Sequence, residues 1–195
     1  MKYYTNQDVA RRLGVNLARW KRWSRAFLAP DPLGGLQSGF ARQYTLREAF
    51  TVALGGHLVG ELKYTLPEAN QIIVDLKEWL KAHGFLPLSP DALPPAPVQA
   101  LEVPRYRVYI APPAAEPNGT GGFRYALRCL SACCIKREGD TQIASETYRD
   151  ELIGDAPSVQ ALMDSPKLRM LNLSAFYREF LKRMTTAPPV EGQRG

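Results

Sequence analysis

Arg19, Lys21, Arg22 and Arg25 place four cations within seven residues. A guanidinium is a planar fork of donors that matches a phosphate or the O6/N7 edge of guanine, and an ammonium is a compact charge for phosphate. Cations set this close imply a polyanionic ligand, because neutralising phosphates releases counterions and drives binding. The charge distribution points the same way. Residues 1–50 hold nine lysines and arginines against three acids, whereas residues 51–195 hold sixteen of each. The first quarter of the chain therefore carries the whole net charge of +6.

The elements that must hold these cations can be parsed from local signals. Thr5 and Asp8 form a capping box, with Asp in place of the usual Glu, ahead of a short helix that buries Val9, Ala10 and Leu13. Gly14 closes that helix, Val15 packs into the turn, and Asn16 is an N-cap for a second helix running to about Phe27. Leu17, Trp20, Trp23 and Phe27 recur at three- and four-residue steps on its apolar side, with Ala18, Arg19, Lys21, Arg22 and Arg25 opposite. Pro30 to Gly35 forces a loop, and Gly39–Tyr44 reads as a β-wing. Thr45-Leu46-Arg47-Glu48 is a second capping box opening a helix from Leu46 to about Val59. A fourth helix, about Pro67 to His83, carries the stripe Ala69, Ile72, Ile73, Leu76, Trp79 and Leu80, and Gly84 follows its end.

The order helix, Gly-Val turn, aromatic-rich basic helix, loop, Gly-Phe-Ala-Arg-Gln-Tyr and T-x-x-E helix resembles the MerR-type winged helix-turn-helix. The resemblance covers residues 3 to about 83. It rests most on Tyr4-Thr5 through Val15, Trp20-Lys21-Arg22-Trp23 and Arg42-Gln43-Tyr44-Thr45. It implies that the second helix enters the major groove of DNA while wing residues clamp the neighbouring phosphates. By motif position, Asn16 and Arg19 fall where base edges are reached. Lys21 falls on a phosphate-contacting position, and Arg22 and Trp23 fall where the family commonly has two aromatics. Arg42 and Tyr44 match the basic and aromatic positions of the wing. Two departures stand out: Arg22 replaces an aromatic, and Leu86-Pro87-Leu88-Ser89-Pro90 stands where the family's long antiparallel dimerisation helix would begin.

The remaining chain reads as a second domain. Residues 87–102 form a proline-rich linker containing Pro94-Pro95-Ala96-Pro97, which forbids a continuous helix. Arg105–Ala111 looks like a strand. In Phe123–Ile135 the residues Phe123, Tyr125, Leu127, Cys129, Ser131, Cys133 and Ile135 alternate onto one face. Thr141–Tyr148 follows a Glu-Gly-Asp turn, so about three antiparallel strands are expected. Helices are expected near Ser158–Met163 and Leu173–Met184. The latter carries Leu173, Phe176, Tyr177, Phe180, Leu181 and Met184 as a stripe to cover the sheet. Cys129, Cys133 and Cys134 do not have zinc spacing and read as small core residues. No nucleophile–base pattern, P-loop or dinucleotide-binding glycine pattern is present, so no enzymatic role, cofactor or metal is expected.

The sequence thus predicts a mainly α winged helix-turn-helix over residues 1–86, the linker 87–102, a small α+β domain with an antiparallel sheet over 103–186, and a flexible tail 187–195. No apolar run approaches the ~20 residues of a membrane span, and the N-terminus lacks an apolar signal core, so a cytoplasmic, bacterial-type protein is expected. The expected function is sequence-specific binding of double-stranded DNA by a transcription regulator. The alternatives are an architectural DNA-binding protein of the excisionase or phage-packaging type and a protein-interaction adaptor. The C-terminal domain is read as an effector-binding module, a docking surface for a protein partner or a homodimerisation module. The last is preferred, because dimers match palindromic sites.

Overall fold

Side chains that cap their own helices set the starts in the N-terminal part. The computed structural model describes residues 3–30, 42–86, 105–113, 121–138, 141–155 and 158–186, with backbone only over 131–138 and 141–144. Thr5 caps α1 (Asn6–Leu13), Thr45 caps α3 (Leu46–Gly60) and Thr65 caps α4 (Leu66–Ala82). Each hydroxyl accepts from the N–H three residues on, and Asp8, Glu48 or Glu68 accepts back from the threonine N–H. The Thr65 box places the start of α4 one residue ahead of the expected Pro67. Gly14, at φ 67°, ends α1 in the left-handed conformation that glycine adopts without strain. Asn16 then starts α2 (Leu17–Phe27), its Oδ1 accepting from Ala18 N and Arg19 N at 2.9 and 3.3 Å.

β1 (Tyr4–Thr5) and β2 (Gln43–Tyr44) pair antiparallel, with Tyr4 opposite Tyr44. Most of the Pro30–Gly35 loop, together with Gly39–Ala41 of the expected wing, lies outside the described residues. So do the linker 87–102 and the tail 187–195. Among the described residues no helix is long and apolar enough to cross a membrane.

The C-terminal part is an antiparallel sheet of β3 (Arg105–Ala111), β4 (Arg124–Glu138), β5 (Thr141–Ile153) and β6 (Arg169–Leu171), in the order β5-β4-β3-β6. The three-residue β6 is a strand the sequence did not announce, since it is too short to show alternation. Phe123, Tyr125, Leu127 and Cys129 are buried as expected, but so are Ala126 and Leu130 on the opposite face. A register shift between Leu130 and Ala132 breaks the single alternating face read as far as Ile135. The side chains of Ser131, Cys133, Cys134 and Ile135 lie outside the described ones. α5 (Val159–Met163) lays Leu162 over Ala111 and Ala126.

α6 (Leu173–Thr185) corrects an expectation. The chain divides into two compact units, Met1–Leu93 with Arg178–Gly195, and Pro94–Tyr177. The second half of α6, from Arg178 on, therefore belongs to the helical unit and not, as expected, to the sheet domain. Phe180 meets Phe50 of α3 edge to face at 5.3 Å. Arg183 Nη1 donates to Leu13 O at 2.9 Å, the carbonyl end of α1. Arg12 Nη1 in turn donates to Met184 O and Thr186 O, at 3.0 and 2.6 Å, the carbonyl end of α6. Each helix thus supplies the guanidinium that satisfies carbonyls left without intrahelical partners at the end of the other. An apolar stripe specifies burial without specifying the surface, which is why the pattern alone assigned it to the sheet.

Candidate nucleic-acid interface

α2 is held from behind by aromatic side chains seated on α3. Trp20, Ser24 and Phe27 are buried, and Leu17, Trp23 and Ala26 are half-buried. Phe27 lies on Gly55 and Trp23 on Gly56, where a Cβ would collide with either ring. Glycines inside a helix cost stability, but here they let the rings rest against the α3 backbone. Trp20 meets Tyr44 edge to face at 5.6 Å. Tyr44 Oη donates to Asn6 Oδ1 at 2.6 Å and lies 2.8 Å from Ser24 Oγ. This one hydroxyl links α1, α2 and β2.

The outer side of α2 follows from helical geometry. At about 100° per residue, Ala18, Arg22 and Arg25 lie opposite the Trp20–Phe27 side, Lys21 flanks them on one edge and Arg19 on the other. All five are exposed. Among the described residues Arg19, Lys21 and Arg22 make no ion pair, while Arg25 Nε donates to Lys21 O of its own helix at 3.3 Å. Asn16 sits exposed at the start of this face, with Oδ1 engaged in the cap, so its amide N–H groups are what it can offer a ligand. Among the described residues, α2 thus presents a positive face without paired acids, about 16 Å long and one helix wide.

Three other residues picked out by the sequence are placed differently. Tyr44 is 1% exposed and serves as an interior strut, so its hydroxyl is not at the surface where the wing resemblance would put it. Arg42 is half-buried; its Nη1 donates to Ala29 O at 2.9 Å, and its guanidinium lies over the Tyr44 ring and 3.8 Å from Glu48. That arrangement fixes the chain on either side of residues 31–41. Trp23 packs on Gly56 and reaches solvent only in part. The residues sequence reasoning missed are Ser24, Gly55 and Gly56. Ser24 carried a signal, a small polar residue four after Trp20 and three before Phe27 on the apolar face. The glycine pair carried one too, since two helix-weakening residues in mid-helix point to a close approach. No family model, no curated protein and no solved structure matches this chain.

Proposed function

We propose that the chain is a sequence-specific, double-stranded-DNA-binding transcription regulator whose α2 lies in the major groove. The observation that carries this reading is the set of exposed cations on α2, none of them tied to a carboxylate among the described residues, over a back anchored by Trp20, Trp23 and Phe27. The order α1, Gly14 turn, α2 with the β1–β2 pairing supports a winged helix-turn-helix of the MerR type. Arg19 and Arg22 reach base edges, with Asn16 beside them. Lys21 and Arg25 hold phosphates. Arg42, Tyr44 and Trp23 act by positioning α2, a revision of the direct roles the resemblance implies. The active species is a homodimer on a two-fold symmetric site.

Selection of bound duplexes from a random pool with the full-length protein tests this. The expected result is an enriched inverted repeat. Arg19→Ala should weaken binding to the selected site by about 5- to 150-fold, while leaving binding to random duplex nearly unchanged. Lys21→Ala should weaken both and lower the slope of log K against log salt by about one. Retained duplex without a motif would move the reading to an architectural binder recognising shape. No retention at low salt would remove DNA as the ligand and leave the adaptor.

A further inference from the structure

The sheet unit carries a second concentration of arginine, of a different kind. Strand register puts Tyr109, Ala126 and Leu152 in one row across the sheet, and Arg107, Arg128 and Asp150 in the next, all on one face. Leu130 and Tyr148 continue that face, as does Met170 of β6 opposite Tyr109. α5 covers the end near Ala111 and Ala126. Leu152 and Met170, at the two edges of the Ala126 row, are exposed to 39 and 44%, and Tyr148, further along the face, to 38%. At its centre Arg128 is clamped flat by Asp150 through two hydrogen bonds of 2.8 and 2.9 Å. Its guanidinium lies 5.9 Å from the Tyr109 ring centre and 5.4 Å from that of Tyr148. Tyrosine, guanidinium and tyrosine thus step across β3, β4 and β5.

Arg105 and Arg107 complete the arrangement. Glu146 accepts from the Tyr148 hydroxyl, and register places Arg105 in the same row as Leu130 and Tyr148, with Arg107 in the next row beside Arg128, all on this face. Among the described residues neither Arg105 nor Arg107 makes an ion pair. Arg128 is neutralised by Asp150, leaving Arg105 and Arg107 against Glu146 and giving this part of the face a positive excess. With Arg128 5.9 Å from one ring centre and 5.4 Å from the other, the two tyrosine rings lie no more than about 11 Å apart. That is the pattern of a stacking platform, in which planar groups on a sheet receive unpaired bases and nearby cations meet the backbone phosphates.

We propose that this sheet face binds a single-stranded segment of nucleic acid, with one base stacked on Tyr148 beside Arg128 and phosphates held by Arg105 and Arg107. The proposal stands apart from duplex recognition by α2. Its test is fluorescence polarisation of labelled dT20 and rU20 with the full-length protein at 50 and 200 mM salt. Binding to either strand is expected, weakened by salt. Tyr148→Ala should reduce it about tenfold, and Tyr148→Phe should restore it, because the ring and not the hydroxyl does the stacking. Arg107→Ala should lower the salt slope. Neither sheet variant should alter duplex binding, and Lys21→Ala should leave single-strand binding intact. Preference for rU20 would identify RNA, and preference for dT20 a strand opened from DNA. The proposal is overturned if neither strand binds at 50 mM salt, or if binding follows Lys21→Ala and ignores Tyr148→Ala. It is equally overturned if sedimentation shows Tyr148→Ala abolishing self-association instead, which would make the face a dimer contact.

Discussion

Two arginine-bearing regions of the helical unit use the same side chain for opposite ends. On α2, Arg19 and Arg22 are exposed and make no ion pair among the described residues, and the helix is backed by aromatic rings seated on the α3 glycines. Where α1 meets the second half of α6, Arg12 and Arg183 point at backbone carbonyls and each closes a helix end that lies about 170 residues away in the chain. The first pair holds donors ready for an external acceptor. The second pair has committed its terminal Nη1 donors internally, and Arg183 Nε is held by Glu179 at 2.7 Å as well. A guanidinium's partners, and not its place in a basic stretch, decide whether it serves folding or recognition. The contrast predicts that changes at the α1–α6 contact alter stability with little effect on the salt dependence of the proposed DNA binding, and that changes on the outer face of α2 do the reverse.

The largest expected effect is at Phe180, 3% exposed and stacked edge to face on Phe50. Phe180→Ala should destabilise the helical unit by about 3 kcal/mol or more, through lost burial and the cavity left behind. Urea unfolding followed by tryptophan fluorescence reports it, because Trp20, Trp23 and Trp79 all lie in this unit. In the protein that remains folded, the salt slope for duplex binding should stay at the wild-type value. A loss below about 1 kcal/mol would show that the end of α6 is not part of this core, and the comparison would fail at its structural half.

A smaller effect is expected at Tyr44, where recognition and structure compete for one residue. Tyr44→Phe keeps the ring against Trp20 but removes the hydroxyl that Asn6 and Ser24 share. Leaving those groups short of a partner should cost about 1–2 kcal/mol. Duplex affinity, measured well below the melting transition, should change little. A substantial loss of affinity with unchanged stability would return Tyr44 to the DNA-contacting role of a wing residue.

Tyr44 also shows where sequence reading reaches its limit. Signals contained in four or five consecutive residues were legible: the Thr5 and Thr45 boxes, Gly14, Asn16, and the helical spacing that turned Trp20 and Phe27 inward while Arg22 and Arg25 faced out. The cations of the candidate site were legible for the same reason, since helical period alone separates them from the apolar side. What stayed hidden depends on distant partners. Tyr44 matched a wing aromatic by position, but its hydroxyl answers to Asn6 and Ser24. Arg12 resembled any surface arginine, because the carbonyls of Met184 and Thr186 are not its neighbours in sequence. The stripe on α6 announced burial without naming the surface, and the irregularity after Leu130 shifted an alternation that sequence continued unbroken.

The smallest effect sharpens the comparison from the local side, with a residue whose partners are all within one helical turn. Thr5 donates to Asp8 Oδ2 through its hydroxyl at 2.7 Å and its N–H at 3.0 Å. These bonds, with Arg11 and Arg12 nearby, hold the Asp8 carboxyl below its ordinary pKa of 3.8. A carboxylate favoured in the folded state contributes stability that is complete above its unfolded pKa and is lost as pH falls through the lower folded value. Asp8 is largely open to solvent, so screening limits the contribution to less than about 1 kcal/mol. Asp8→Asn should therefore melt slightly below the wild type at pH 7, with the gap narrowing as pH drops below about 4. Arg12→Ala removes a donor whose acceptors are the carbonyls of Met184 and Thr186, and Arg12 is only the least of the influences on Asp8, so its deficit should shrink far less over the same range. Parallel pH dependence in the two variants would mean that acid loosens the α1–α6 contact as a whole, and local capping would no longer separate from the long-range arginine contacts.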